Sequence, residues 1–116
     1  MLLSVRNYRV IRPLGAGGNR LKANVLVAGG FCFQTTLPEV DQIHFAPRVM
    51  QPTLMLNGRY DFFFPVETSQ RHMFRLLGTP PEHKEHKVFD TGHSVPREQL
   101  VQETLAWLDK YLGPVK

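Results

Sequence analysis

Asp61 and His93 are the residues of this chain best suited to do chemistry. Asp61 lies in LMLNGRYDFFFP (Leu54–Pro65) and His93 in FDTGHSVP (Phe89–Pro96), each in a turn just after a run that reads as a strand. A carboxylate that accepts the imidazole Nδ1 proton fixes the tautomer and leaves Nε2 free to act as a base. An acid followed in the chain by a histidine is also the order of two members of a hydrolytic triad. The same residues have plainer uses. An Asp in N-G-R-Y-D serves a turn, and a lone His after Gly serves as a capping or core group.

A nucleophile is harder to find. The three serines are Ser4, Ser69 and Ser94, and none carries the flanking glycines of a G-x-S-x-G elbow. Cys32, in GGFCFQ after an apolar run, is the best internal substitute, although a single Cys in apolar company also reads as a small buried hydrophobe. His83, Glu85 and His86 have metal-ligand chemistry. They straddle the entrance to a strand, where alternation sends His83 and His86 to different faces, so they read as a solvated lead-in. No metal and no cofactor is expected. Phe62-Phe63-Phe64 beside the acid reads as core or as pocket wall.

The elements that must position these groups alternate between strand and helix. Tyr8–Ile11 is short and β-rich, and PLGAGGNR is a glycine-rich loop. Ala23–Ala28 and Thr53–Asn57 are continuous apolar runs of the kind buried on both faces of a parallel sheet, and His86–Phe89 is a third short strand. Between the first two runs lies a long connection in which Asp41 caps a short helical turn. Pro65 opens a helix with a stripe of Val66, Met73, Phe74 and Leu77, closed by Gly78. Pro96 opens a last helix with Leu100, Val101, Thr104, Leu105, Leu108 and Leu112 on one face, ended by Gly113. The expectation is an α/β fold of three to four mostly parallel strands with two main helices and right-handed crossovers.

Composition narrows the classes. The chain has 116 residues, 42% hydrophobic, which suffices for one domain. Its net charge is +4, but the basic residues are scattered rather than striped, so no nucleic-acid partner is expected. The single cysteine suits a reducing compartment, MLLSVRNYRVIR holds no apolar core long enough to read as a signal peptide, and no apolar run approaches roughly 18 residues. The expectation is a cytoplasmic protein with no membrane partner.

LMLNGRYD around the acid, FDTGHSVPR around the histidine and the closing ETLAWLDKYLG helix resemble the last third of an α/β-hydrolase of the dienelactone hydrolase and prolyl oligopeptidase-like kind. The resemblance covers residues 21–116. It implies a partial α/β-hydrolase fold whose strands are the last three of the family's eight. It makes Asp61 the triad acid and His93 the triad base, lines an acyl pocket with the three phenylalanines, and suggests a small-molecule ester or lactone as substrate. Cysteine nucleophiles occur in dienelactone hydrolases, which brings Cys32 back into view. The strands and loops that carry the family's nucleophile and oxyanion hole have no counterpart here, so weak or no intrinsic activity is expected. The alternative is a non-catalytic oligomerising module.

YRVIRPLGAGG within residues 1–20 resembles the opening strand and glycine loop of bacterial Ser/Thr protein kinases, some of which are fused to C-terminal α/β-hydrolase domains. Gly15 and Gly17 fit the loop pattern, but Arg20 stands where its third glycine belongs, so ATP is not expected as a ligand. A half-sheet of this kind leaves an apolar edge uncovered, and a homodimer that covers it is expected.

Overall fold

Each of the three apolar runs forms a strand in the computed structural model, which describes residues 22–31, 37–39 and 41–113. The strands are β1 (Asn24–Val27), β2 (Thr53–Gly58) and β3 (Lys84–Phe89). They form one open parallel sheet in the order β1-β2-β3, with Val25 beside Leu54 and Leu54 beside Glu85. All of β2 is buried, which explains its unbroken apolar run, whereas β3 is half-buried and carries alternating charges. Within the runs the side chains still alternate. Val25, Leu54 and Leu56 pack with Trp107 on one face, and Leu26 and Met55 pack with Val49, Met73 and Leu77 on the other. The third strand starts at Lys84, earlier than the expected His86. Tyr8–Ile11, the Gly15–Gly17 loop and Cys32 lie outside the described residues.

The crossover from β1 to β2 contains two short 3-10 turns, Gln42–His44 and Ala46–Arg48. Asp41 caps the first as expected, its Oδ1 accepting from the Ile43 N–H at 3.2 Å.

The crossover from β2 to β3 departs from the expected regular helix. Val66–Gln70 winds as a π-helix before continuing into α1 (Arg71–Leu76). The amides of Ser69 and Gln70 both reach the Pro65 carbonyl, at 3.0 and 3.1 Å. The wide turn lets both side chains face inward, where Ser69 Oγ donates to the Phe31 carbonyl (2.7 Å) and Gln70 Nε2 donates to the carbonyls of Gly58 and Phe64. The helix ends just before Gly78, as expected, but Gly78 does not cap it. It follows the C-cap residue Leu77 directly, yet it is not in the left-handed conformation and its amide donates to Ala46 O (3.2 Å); the last carbonyls are met by Lys84, whose Nζ donates to Phe74 O (2.7 Å) and Leu77 O (3.2 Å). Gly78 is needed for another reason: a Cβ there would collide with the Pro47 carbonyl.

The last helix, α2, runs Arg97–Leu112 after Pro96 and ends at Gly113, whose φ of 83° favours glycine. Its buried face differs from the expected one. Thr104 and Trp107 are buried and Leu100, Leu108 and Tyr111 half-buried, while Val101, Leu105 and Leu112 are exposed. Two overlapping apolar stripes share this helix, and the large Trp107 ring decides which one meets the sheet.

Candidate active site

The acid turn is built from its own backbone. Asp61 follows β2, and its side chain is buried. Its Oδ1 accepts the amides of Phe63 (2.9 Å) and Phe64 (3.1 Å), which closes an Asx-type turn. Gln70 Nε2 spans the turn from below, donating to Gly58 O (2.9 Å) and Phe64 O (2.7 Å). The carboxylate is therefore held before any partner side chain reaches it.

The histidine turn is docked onto the acid turn. The Arg59 amide donates to Phe89 O (2.8 Å) and the Tyr60 amide to Thr91 O (3.0 Å), while Arg59 Nε meets Asp90 at 3.0 Å. The approach requires a glycine at 58, because a Cβ there would overlap the carbonyl oxygens of Gly92 and Thr91. Both turns lie at the carboxyl end of the sheet, where chemistry gathers in open parallel folds.

The result is a hydrogen bond of 2.7 Å between His93 Nδ1 and Asp61 Oδ2. Asp61 and His93 are thus brought together as the sequence suggested. The burial is asymmetric: the Asp61 side chain is 0% exposed and that of His93 36%. The neutral imidazole that donates from Nδ1 to the carboxylate carries its lone pair on Nε2. Phe63 meets the ring edge-on at 5.0 Å and Phe64 lies tilted at 5.8 Å, so the ring is walled as well as tethered. This arrangement can take and return a proton at Nε2 while the buried carboxylate stabilises the transient cation.

The other candidates fall elsewhere. Ser69 Oγ is committed to the Phe31 carbonyl, and Ser94 is exposed beside His93. His83 Nδ1 pairs with the Tyr111 hydroxyl at 3.0 Å. His86 Nε2 lies 3.2 Å from Asn57 Oδ1, and Asn57 Nδ2 donates to Gly29 O at 2.8 Å, a polar link from β3 through β2 to the segment that follows β1. Burial, with the nearby Arg71 charge second, pushes the His86 pKa down to about 4. Among the described residues no three His, Cys, Asp or Glu side chains gather as metal ligands.

Sequence reasoning missed Gln70 and the paired amides of Phe63 and Phe64. The amides had a signal, since Asp followed by an irregular segment favours Asx turns. Gln70 had none, because a polar residue in a helix reads as surface.

No protein-family model matches the chain, and no curated protein does. Solved structures do. The native structure of a cold-adapted esterase from an Arctic intertidal metagenomic library superposes with a TM-score of 0.69 at 26% identity, over 86% of this chain and 43% of that one. The zinc-bound structure of a cold-adapted esterase from such a library gives 0.71 at 27% identity, with the same shares. The chain therefore spans less than half the length of the esterases it resembles, and its sheet is a partial α/β fold of the esterase kind.

Proposed function

We propose that the chain is a hydrolase of the ester or lactone class in which His93 is the general base and Asp61 its orienting acid. One observation carries this reading: a short bond joins a half-exposed imidazole to a buried carboxylate whose other oxygen is already held by two amides. A carboxylate serving only as a turn residue has no need of a walled imidazole. The likeness to esterases supports the same reaction class.

In the reaction His93 Nε2 takes a proton from the nucleophile as a new bond forms to the ester carbonyl carbon. The protonated imidazole then gives that proton to the departing alkoxide as the carbon–oxygen bond breaks. The nucleophile is water, Cys32 or a group supplied by another chain. With water, turnover is slow, because no covalent intermediate divides the barrier.

Hydrolysis of p-nitrophenyl acetate by wild type, His93→Ala and Cys32→Ala tests the proposal. Activity should fall at least a hundredfold in His93→Ala, and a parallel loss in Cys32→Ala would identify a covalent route. Equal rates in wild type and His93→Ala would remove the hydrolytic reading. They would favour the non-catalytic oligomerising module, for which the exposed Val101, Leu105 and Leu112 on α2 speak.

A further inference from the structure

Beside the acid turn lies a cleft of about 510 Å³, lined among others by Phe31, Asp41, Ile43, Phe62, Phe63 and His72. Its walls come from the β1–β2 crossover, from the turn that carries Asp61, and from Thr68, Ser69 and His72 on the π-helix and α1. Its volume falls within the range of small-molecule sites. Its rim is apolar and wet: Phe62 is 77% exposed, Phe63 47% and Ile43 38%. Large apolar side chains gathered in water around one concavity mark a binding surface rather than a core.

The shape of the rim is aromatic. The Phe62 and Phe63 rings lie 4.1 Å apart with 31° between their planes, a near-stacked pair that offers a flat face to a third ring. Phe31 meets His72 edge-on at 5.3 Å on the far side. The polar groups are largely in use, with Asp41 Oδ1 on the Ile43 amide and Ser69 Oγ on the Phe31 carbonyl. Among the described residues no lysine or arginine lines the cleft, and Asp41 places a carboxylate on it. An anionic ligand therefore meets like charge, and no lysine or arginine among the described residues.

Phe63 belongs both to this wall and to the wall of His93, whose ring centre lies 5.0 Å from its own. Phe63 thus joins the wall of the cleft to the wall of the imidazole. We infer that the cleft seats an uncharged aromatic group of the substrate, which makes aryl esters the preferred class. The substrate assignment rests on the hydrolytic reading; the cleft's affinity for an aromatic group does not.

The test uses N-(2-naphthyl)acetamide, an aryl amide with an ester-like carbonyl, followed by its fluorescence on titration with protein. Wild type should bind it saturably. Phe62→Ser and Ile43→Ser should each weaken binding at least tenfold; both side chains are exposed, and circular dichroism checks that the fold is kept. Naphthalene-2-sulfonate should bind at least tenfold more weakly than the amide. Absence of saturable binding, indifference to both rim changes, or equal affinity for the sulfonate would each overturn the inference. If the amide binds as expected while His93→Ala hydrolyses p-nitrophenyl acetate as fast as wild type, the catalytic reading fails and the aromatic site stands.

Discussion

Asp61 serves two purposes, and they separate experimentally. Oδ2 orients His93, and Oδ1 holds the Phe63 and Phe64 amides. Asp61→Asn keeps an oxygen for the amides but presents the imidazole with the wrong partner. Turnover should fall by about 10² to 10⁴ with little change in unfolding midpoint, by analogy with loss of the acid in hydrolytic triads. Asp61→Ala should lose the same activity and also about 1–3 kcal/mol of stability in urea unfolding, because two amides lose their acceptor. His86 makes the pH prediction. Its folded pKa is depressed to about 4 by burial and by the Arg71 charge, so the unfolded chain takes up protons that the folded chain refuses. Stability is fully present above the unfolded value of about 6.5 and is lost as pH falls from there toward 4. The urea midpoint of wild type should drop more between pH 7 and pH 5 than that of His86→Gln, which can still bond Asn57 but does not titrate. Equal slopes would show that His86 does not govern this window.

At the scale of elements, the junction between the β2 and β3 turns decides whether the dyad exists. Gly58→Ala pushes a methyl into the carbonyls of Thr91 and Gly92, whereas a Cβ on Gly92 meets nothing within 4 Å. Gly58→Ala should cost about 1–3 kcal/mol in urea unfolding and move the His93 ring resonances away from those of the bonded pair. Gly92→Ala should do neither, and damage at both positions would refute the close-approach argument. The strands were legible because a parallel sheet covered on both faces demands continuous apolar runs, and ANVLVA and TLMLN are such runs. Val66–Gln70 was not legible. Its π winding answers inward hydrogen bonds from Ser69 and Gln70 to partners outside the segment, and local periodicity carries no record of them. Local pattern does not fix the orientation of α2, because Val101-Leu105-Leu112 and Leu100-Thr104-Trp107 are both plausible stripes. Only contact with Val25, Leu54 and Leu56 selects the second.

For the molecule as a whole, the rejected stripe matters. Val101, Leu105 and Leu112 stand exposed on α2, and among the described residues β1 pairs with β2 alone. Apolar side chains exposed in a row on one helix favour association. The homodimer expected from the sequence should appear by light scattering at micromolar concentration and dissociate in Leu105→Glu. A wild-type monomer would sink it. No described helix is long and apolar enough to cross a membrane. By itself the sequence determined the strand–helix alternation and the chemistry on offer, an acid and a histidine each just past a buried strand. Those features are written in local apolar patterning and turn residues. Only the tertiary structure decided that β2 lies between β1 and β3, and hence that the turns after β2 and β3 are neighbours. It alone closed the 2.7 Å bond between Asp61 and His93 and opened the aromatic cleft beside it. Such proximity depends on which strands pair and which side chains interlock at a distance, and no window of the chain holds that information.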